Sequence, residues 1–372
     1  MKKYPVAKPF ITNEDRESVL GVLKTDYLSL GPKLGEFERK FAKKLGAKFA
    51  CAVSSGTAGL HLALIAAGIG EGDEVVTTPF TFVASANTIV SVGAKPVFAD
   101  IDPETYNINP KQLEKKITKF TKAIMVVHIF GQPCDMGSIM AIAKKNRLIV
   151  IEDACESLNA AYRGKKAGTF GQAGVFAFYP NKQMTTGEGG MIITNNKKTY
   201  NACASLRNQG RDENDRWLEH KYFGYNYRLD EMSAALGISQ LKKLDFMINE
   251  RRKIARWYSG FLKSYADIVQ SPKIAASSTH TWFVYVVKIK DKRIGRNRLI
   301  VNLERKGICT RPYLPSVHLS PFYKSRFGYR AGDFPVSEAV SASSLALPLF
   351  IGLTKSDCQY IVNKLIKEIN NL

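Results

Sequence analysis

A largely parallel α/β sheet wrapped by helices is the fold that this 372-residue sequence predicts. Three observations lead there. Short apolar runs rich in valine and isoleucine recur between about residues 48 and 195. Segments with helical spacing separate them. The runs are continuous rather than alternating, which is how strands buried on both faces read. Crossover helices between such strands give a parallel sheet, and ligands then gather at the strands' C-terminal ends.

The elements follow in order. FACAVSS (49–55), EVVTTP (74–79), PVFADI (96–101), AIMVVHIFG (123–131), LIVIED (148–153) and VFAFY (175–179) read as strands. TAGLHLALIAAGIG (57–70) and DMGSIMAIAKKN (135–146) read as helices between them. After Leu229 the pattern changes: apolar residues keep three-to-four spacing as far as Leu262, without a proline. One long helix, or two joined, is expected to lead into a second unit. There TWFVYVVKI (281–289) reads as a strand, IGRNRLIVNLERKG (294–307) as a helix ending at Gly307, and LTKSDCQYIVNKLIKEI (353–369) as a terminal helix. The expected division is a large unit over 1–245, with an N-terminal arm, and a smaller one over 246–372.

Composition narrows the function classes. No apolar stretch approaches the ~20 residues needed to span a bilayer. MKKYPVAKPF has no apolar core or cleavage site of the signal-peptide kind. The six cysteines (51, 134, 155, 203, 309 and 358) form no C-x-x-C pair and no zinc spacing, so reduced thiols in a cytoplasm and no metal are expected. The 54 basic and 33 acidic residues leave +21, a field that attracts polyanions and steers acidic small molecules. Yet the basic residues lie in helical pieces such as KQLEKKITKFTK (111–122), interleaved with acids, and no nucleic-acid-binding motif accompanies them. A solvated basic surface is the plainer reading.

Three strand-end features carry chemistry. In VSSGTAGLHLAL (53–64), Ser55, Gly56 and Thr57 sit where a strand meets a helix, as an N-cap or as an anion cradle. LIVIED ends a very apolar strand with Glu152 and Asp153, which are costly there unless paired or used. Lys182 follows VFAFYPN and precedes the turn TTGEGG (185–190). Alone it reads as a solvated loop lysine, a phosphate contact, or the carrier of a carbonyl cofactor as a Schiff base. Together, a cradle, a buried-strand aspartate and a lysine on the next loop are what pyridoxal phosphate needs. Phe82 in TTPFTFVASAN (77–87) supplies an aromatic face for the ring.

The constellation resembles the DegT/DnrJ/EryC1/StrS sugar aminotransferases, fold-type I pyridoxal-phosphate enzymes. The resemblance runs from DYLSLGPKLGEFERKFA (26–42) through SSGTAGL, TPFTFVASAN, PVFADID, VVHIFGQPCDM, IEDACES, the Lys182 loop with GEGG, LRNQGR (206–211) and GYNYRLDEMSAA (224–235) to RPYLPSVHLSPFY (311–323). It implies the fold-type I aminotransferase fold with a smaller C-terminal α+β domain. It also implies a homodimer with shared sites, pyridoxal 5'-phosphate as cofactor, and amino transfer from glutamate to a nucleotide-linked keto sugar. Position by position, it makes Lys182 the cofactor lysine, Asp153 the ring-nitrogen partner, and Phe82 the stacking aromatic. Ser55, Gly56 and Thr57 hold the phosphate, and Asn226 reaches the partner subunit's phosphate. His318, Tyr313 and Arg311 match substrate positions; His128 lies at a strand end as a site residue or a satisfied core histidine. Two departures stand out. Ala177 replaces a serine that many relatives aim at the phosphate, and Glu156 replaces a glutamine or histidine near the ring oxygen. Relatives that dehydrate sugars carry histidine where Lys182 stands, so lysine favours amino transfer. The rival readings are amino transfer to a free keto-cyclitol or keto sugar, a non-catalytic regulatory or sensor protein of the same fold, and a basic nucleic-acid binder.

Overall fold

The computed structural model describes residues 2–212, 219–291 and 293–371. In chain order the strands of the first half are β1 (Phe49–Val53), β2 (Glu74–Thr77), β3 (Lys95–Phe98), β4 (Thr121–Val127) and β5 (Ile149–Asp153). Then come β6 (Ala161–Tyr162), β7 (Lys165–Lys166), β8 (Ala173–Ala177) and β9 (Gly190–Thr194). The second half adds β10 (Val269–Gln270), β11 (Ser278–Thr279), β12 (Tyr285–Ile289) and β13 (Ser344–Leu347).

Seven strands form the central sheet in the order β1-β9-β8-β5-β4-β2-β3. β3, β2, β4, β5 and β8 pair in parallel, as their unbroken apolar runs require. β9 runs antiparallel to both its neighbours, β1 and β8. The helices 56–66 and 136–146 fall where their spacing puts them. So every predicted strand of the large unit is present, and the sheet is wrapped as expected.

One face of the sheet is closed by the helix Pro32–Leu45, whose Phe37 and Phe41 pack on Phe176 and Phe178. Pro32 starts this helix and Gly46, at φ 73°, ends it. The long apolar pattern after Leu229 resolves into two helices, Glu231–Lys242 and Leu244–Leu262, joined at Lys243. Lys243 Nζ lies 2.6 Å from the fully buried Asp15, which pins the joint to the first helix. Beyond it, β10, β12 and β13 form a small antiparallel sheet. It packs with the helices 244–262, 296–305 and 355–370 around Tyr258, Tyr285, Leu303 and Leu365. Tyr4 belongs to this second core: its N–H donates to Gly307 and its carbonyl accepts from Cys309. Among the described residues no helix is long and apolar enough to cross a membrane.

A close backbone approach lies where β9 meets the start of the helix 56–66. A Cβ on Gly190 would fall 2.6 Å from the carbonyl carbon and oxygen of Ser55. Backbone cannot rotate away as a side chain can. Gly190→Ala is therefore expected to cost roughly 1–3 kcal/mol, as overpacking does; the urea unfolding midpoint checks it.

Candidate active site

The site forms at the C-terminal ends of β2, β4, β5 and β8, where their loops converge. β5 delivers two carboxylates, and successive strand residues point to opposite faces. Glu152 turns into the protein. It accepts from the N–H groups of Gly168, Phe170 and Gly171 at 2.6–2.7 Å, and from His128 Nε2 at 2.9 Å. His128 Nδ1 accepts from Cys134 N–H, so the proton of a neutral ring sits on Nε2. His128 is thus a satisfied core histidine.

Asp153 faces the other way and is nearly buried. Its Oδ2 accepts from Ser85 Oγ at 2.7 Å and its Oδ1 from Cys155 N–H at 3.2 Å. Each oxygen keeps a lone pair for a further donor. Ser85 lies 3.3 Å from the Phe82 carbonyl, so one hydroxyl ties the Phe82 turn to the carboxylate. Phe82 is 62% exposed, an uncovered aromatic residue on the turn that Ser85 ties to Asp153.

Lys182 comes from the loop between β8 and β9, and the threonines and glycines that follow fix it. Thr185 Oγ1 and Thr186 N–H both donate to the Phe178 carbonyl, and Gly187 N–H donates to Thr185 Oγ1. Gly187 and Gly189 take φ of 85° and 147°, left-handed values that a side chain would resist. The Lys182 amine is drawn inward. Nζ stands 4.0 Å from the centre of the Phe283 ring and 3.9 Å from Glu156 Oε1. Phe130 N–H donates to Glu156 Oε2 at 2.8 Å, and Phe283 N–H donates to the Phe130 carbonyl at 3.0 Å. The circuit Phe130–Glu156–Lys182–Phe283 closes on itself. Burial pushes the Glu156 carboxyl above its ordinary value, with the Lys182 ammonium and the Phe130 N–H as partial offsets.

Cys155 stands at the junction of these groups. Burial pushes its thiol well up, with Asp153 adding to the rise and Lys182 opposing it. A Cβ on Gly56 would lie 2.9 Å from its sulfur and 2.8 Å from the Ala177 methyl, so the start of the helix 56–66 touches the same place. Ser55 caps that helix by accepting from Ala58 N–H. The Gly56 and Thr57 N–H groups, which have no intrahelical partner, are left for an anion.

These residues fit pyridoxal phosphate. An amine, a carboxylate, an aromatic face and helix-start N–H groups are brought together, and at Gly56 the helix start packs on Ala177 and Cys155 too closely for any side chain. Tyr313 also reaches the site: its ring lies 6.0 Å from Phe130 and 6.3 Å from Phe283. Burial and nearby Glu156 push its hydroxyl up to about 12. Asn226 is exposed and bridges Asn208 through its backbone, while the next residue, Tyr227, accepts from Ser54 N–H beside the cradle. Arg311 is exposed at a bridge to Ala346, with its guanidinium on the Thr310 carbonyl. His318 is enclosed: Nε2 lies 3.1 Å from Glu338 and the ring packs on Phe334. It meets a ligand only if Glu338 and Phe334 move. Ser85, Phe283 and Cys155 were not singled out from sequence. Ser85 stood inside TTPFTFVASAN, and its place three residues after Phe82 was the available signal; Phe283 gave none.

A family model described as the DegT/DnrJ/EryC1/StrS aminotransferase family matches residues 9–366. The chain belongs to that family. It is a family of fold-type I, pyridoxal-phosphate-dependent sugar aminotransferases. The chain is 39% identical over 364 residues to the GDP-perosamine synthase of Caulobacter vibrioides, covering 97% of each. It is 40% identical over 347 residues to a "pleiotropic regulatory protein" of Geobacillus stearothermophilus, covering 92% of this chain and 91% of that one. Among solved structures it is similar to Helicobacter pylori PseC, an aminotransferase involved in the biosynthesis of pseudoaminic acid. That likeness has a TM-score of 0.94 and 29% identity over the whole of both chains.

Glu156 gives the site a pH signature. A carboxyl raised by folding contributes stability that is fully present below its unfolded value, near 4.5, and is lost as pH rises through the folded value. Glu156→Gln removes that loss, while leaving Lys182 only the Phe283 ring. In the cofactor-free protein it is expected to be more stable than wild type at pH 8 and nearly equal at pH 4. Urea midpoints at the two pH values check the sign.

Proposed function

We propose that the protein is a pyridoxal-phosphate-dependent aminotransferase that carries an amino group from glutamate to a nucleotide-linked keto sugar. The observation that carries this reading is the enclosed amine of Lys182, joined through Cys155 to Asp153 and to the start of the helix 56–66. When bound, the cofactor supplies an aldehyde for the amine and a ring that takes up the electrons released at a broken Cα–H bond.

The chain's own residues do the rest. Lys182 Nζ offers the amine and, from the same position, moves the proton on and off the substrate carbon. Asp153, held by Ser85 and Cys155 N–H, keeps a carboxylate opposite the ring nitrogen. Phe82 covers a ring face. The Gly56 and Thr57 N–H groups, with the Ser55 turn, hold the phosphate without the hydroxyl that Ala177 lacks. Glu156 faces the amine and would stand near the ring oxygen, and Tyr313 and Arg311 would border the sugar nucleotide, with His318 joining them once uncovered. The name of the Caulobacter relative supports a GDP-linked sugar as the first candidate. A surface of net +21 favours the approach of a diphosphate. The name of the Geobacillus relative is the support for a regulatory role, in which glutamate would not be consumed.

The homodimer belongs to the same proposal, with the partner subunit's Asn226 completing each phosphate site. Exposed Tyr222 and Phe223, the latter 86% bare, lie on the same stretch as Asn226 and support a covered face there.

The test of the function is direct. The protein loaded with glutamate and pyridoxal phosphate is offered a panel of nucleotide keto sugars, GDP-linked ones included, and amino sugar and 2-oxoglutarate are measured. No product across the panel, with free keto-cyclitols accepted instead, would sink the nucleotide reading. Lys182→Ala is expected to abolish transfer and to prevent borohydride from fixing the cofactor on the chain. For the shared site, Lys182→Ala and Asn226→Asp are each expected to be nearly inactive. Mixed equally and allowed to exchange, they should recover about a quarter of wild-type activity, because half the dimers are hybrids with one intact site. Hybrids confirmed by tag pulldown but without activity would rule out the sharing.

A further inference from the structure

Arg251 lies in the middle of the helix Leu244–Leu262 and is almost wholly buried. Among the described residues no carboxylate is paired with it. Instead its guanidinium donates to three carbonyls: Nη2 to Lys182 at 3.2 Å, and Nη1 to Trp282 at 3.2 Å and Phe283 at 3.3 Å. Its Nε is enclosed without a partner. Burial lowers the guanidinium to about 10, still charged at neutral pH. A buried charge without a counter-ion is costly, and three convergent carbonyl dipoles are what offset it.

Two of those carbonyls belong to the residues whose side chains meet at the amine. Lys182 brings Nζ and Phe283 brings the ring beneath it, 4.0 Å away. Neighbouring bonds tighten the same seam. Gln183 Nε2 donates to Thr281 Oγ1 at 3.2 Å and to the Glu156 carbonyl at 2.6 Å. Arg252, next on the helix, donates to the His280 carbonyl at 3.3 Å. Without Arg251, the Lys182 and Phe283 carbonyls would face one another's partial charge with no donor between them.

We infer that Arg251 is a positioning residue: by clamping the main chain of Lys182 to that of Phe283, it sets where the Lys182 amine stands and how readily it attacks a carbonyl. The inference rests on the reading of Lys182 as the cofactor lysine.

The experiment uses the full chain freed of cofactor. It is mixed with pyridoxal phosphate, reduced with borohydride at timed intervals, and mapped by peptide mass. Wild type is expected to be labelled first at Lys182; labelling first at another lysine would overturn the Lys182 reading and this inference with it. In Arg251→Met, labelling of Lys182 is expected to slow about tenfold or more, as displacement of a reacting group by a fraction of an ångström does, while exposed lysines react as before. Arg251→Lys keeps the charge but not the fork, so it should recover part of the rate. Leu365→Ala in the second core is the control: it should lower the unfolding midpoint and leave the Lys182 rate unchanged. A folded Arg251→Met with the wild-type rate overturns the inference, and so does an equal slowing in Leu365→Ala. If Arg251→Met does not fold, Arg251→Lys decides: about a threefold slowing at Lys182 is expected, and an unchanged rate overturns the clamp.

Discussion

The end of β5 is where the rest of the site is decided, because strand geometry sends Glu152 and Asp153 to opposite faces. Glu152 spends all its accepting capacity on structure, with three main-chain donors and His128. That arrangement fixes the 168–171 turn and hence the entry of β8, the strand that leads to Lys182. Asp153 accepts from Ser85 and one main-chain N–H, fewer close donors than Glu152 has, which leaves it room for a ligand. Two neighbouring acids of one strand thus divide into one fully spent on the scaffold and one left with accepting capacity. A register slip of one residue would exchange them and dismantle both.

The fold was legible because its signals are local. Continuous apolar runs announced the six strands from β1 to β8 that build the large sheet, and helical spacing announced the crossovers between them. The direction of β9 was not legible. The apolar run at 191–194 carries no sign of direction, and its antiparallel course goes with Thr185 and Thr186 folding the loop back onto Phe178. In the site, Lys182, Asp153 and the Ser55–Thr57 turn stood out because each follows an apolar run. By strand pattern alone Glu152 could not be told from Asp153, and it was the family resemblance that picked out Asp153. Phe283 lies 101 positions from Lys182 and looks like any strand aromatic, so nothing local marks it. His128 and His318 show the converse: both were conspicuous in sequence, and both are enclosed by partners that only tertiary packing supplies.

The opening alternatives for Lys182 can now be weighed on physical grounds. A solvated lysine would leave its ammonium in water, whereas this side chain is only 14% exposed. Such a charge needs compensation, and it has two modest sources: a ring face at 4.0 Å and a carboxyl at 3.9 Å. Neither is a close hydrogen bond. The amine is therefore held in place without being locked. Glu156 complements this arrangement, since burial already favours its neutral form.

Phe130 is the residue through which the two halves of the chain share that arrangement. Its φ of 58° is a left-handed value, unusual for an aromatic residue and costing about 1–3 kcal/mol. The conformation turns its N–H toward Glu156 and its carbonyl toward Phe283 N–H, two bonds that an extended backbone would send apart. The first bond orients the carboxyl that faces the amine; the second brings in the segment before β12, and with it the ring beneath the amine. Strain at one residue after β4 thus joins the central sheet to the C-terminal unit at the amine itself. A change in how the sheet β10-β12-β13 packs would therefore reach Lys182 through Phe283 before it reached Asp153, which is held by β5 and by Ser85.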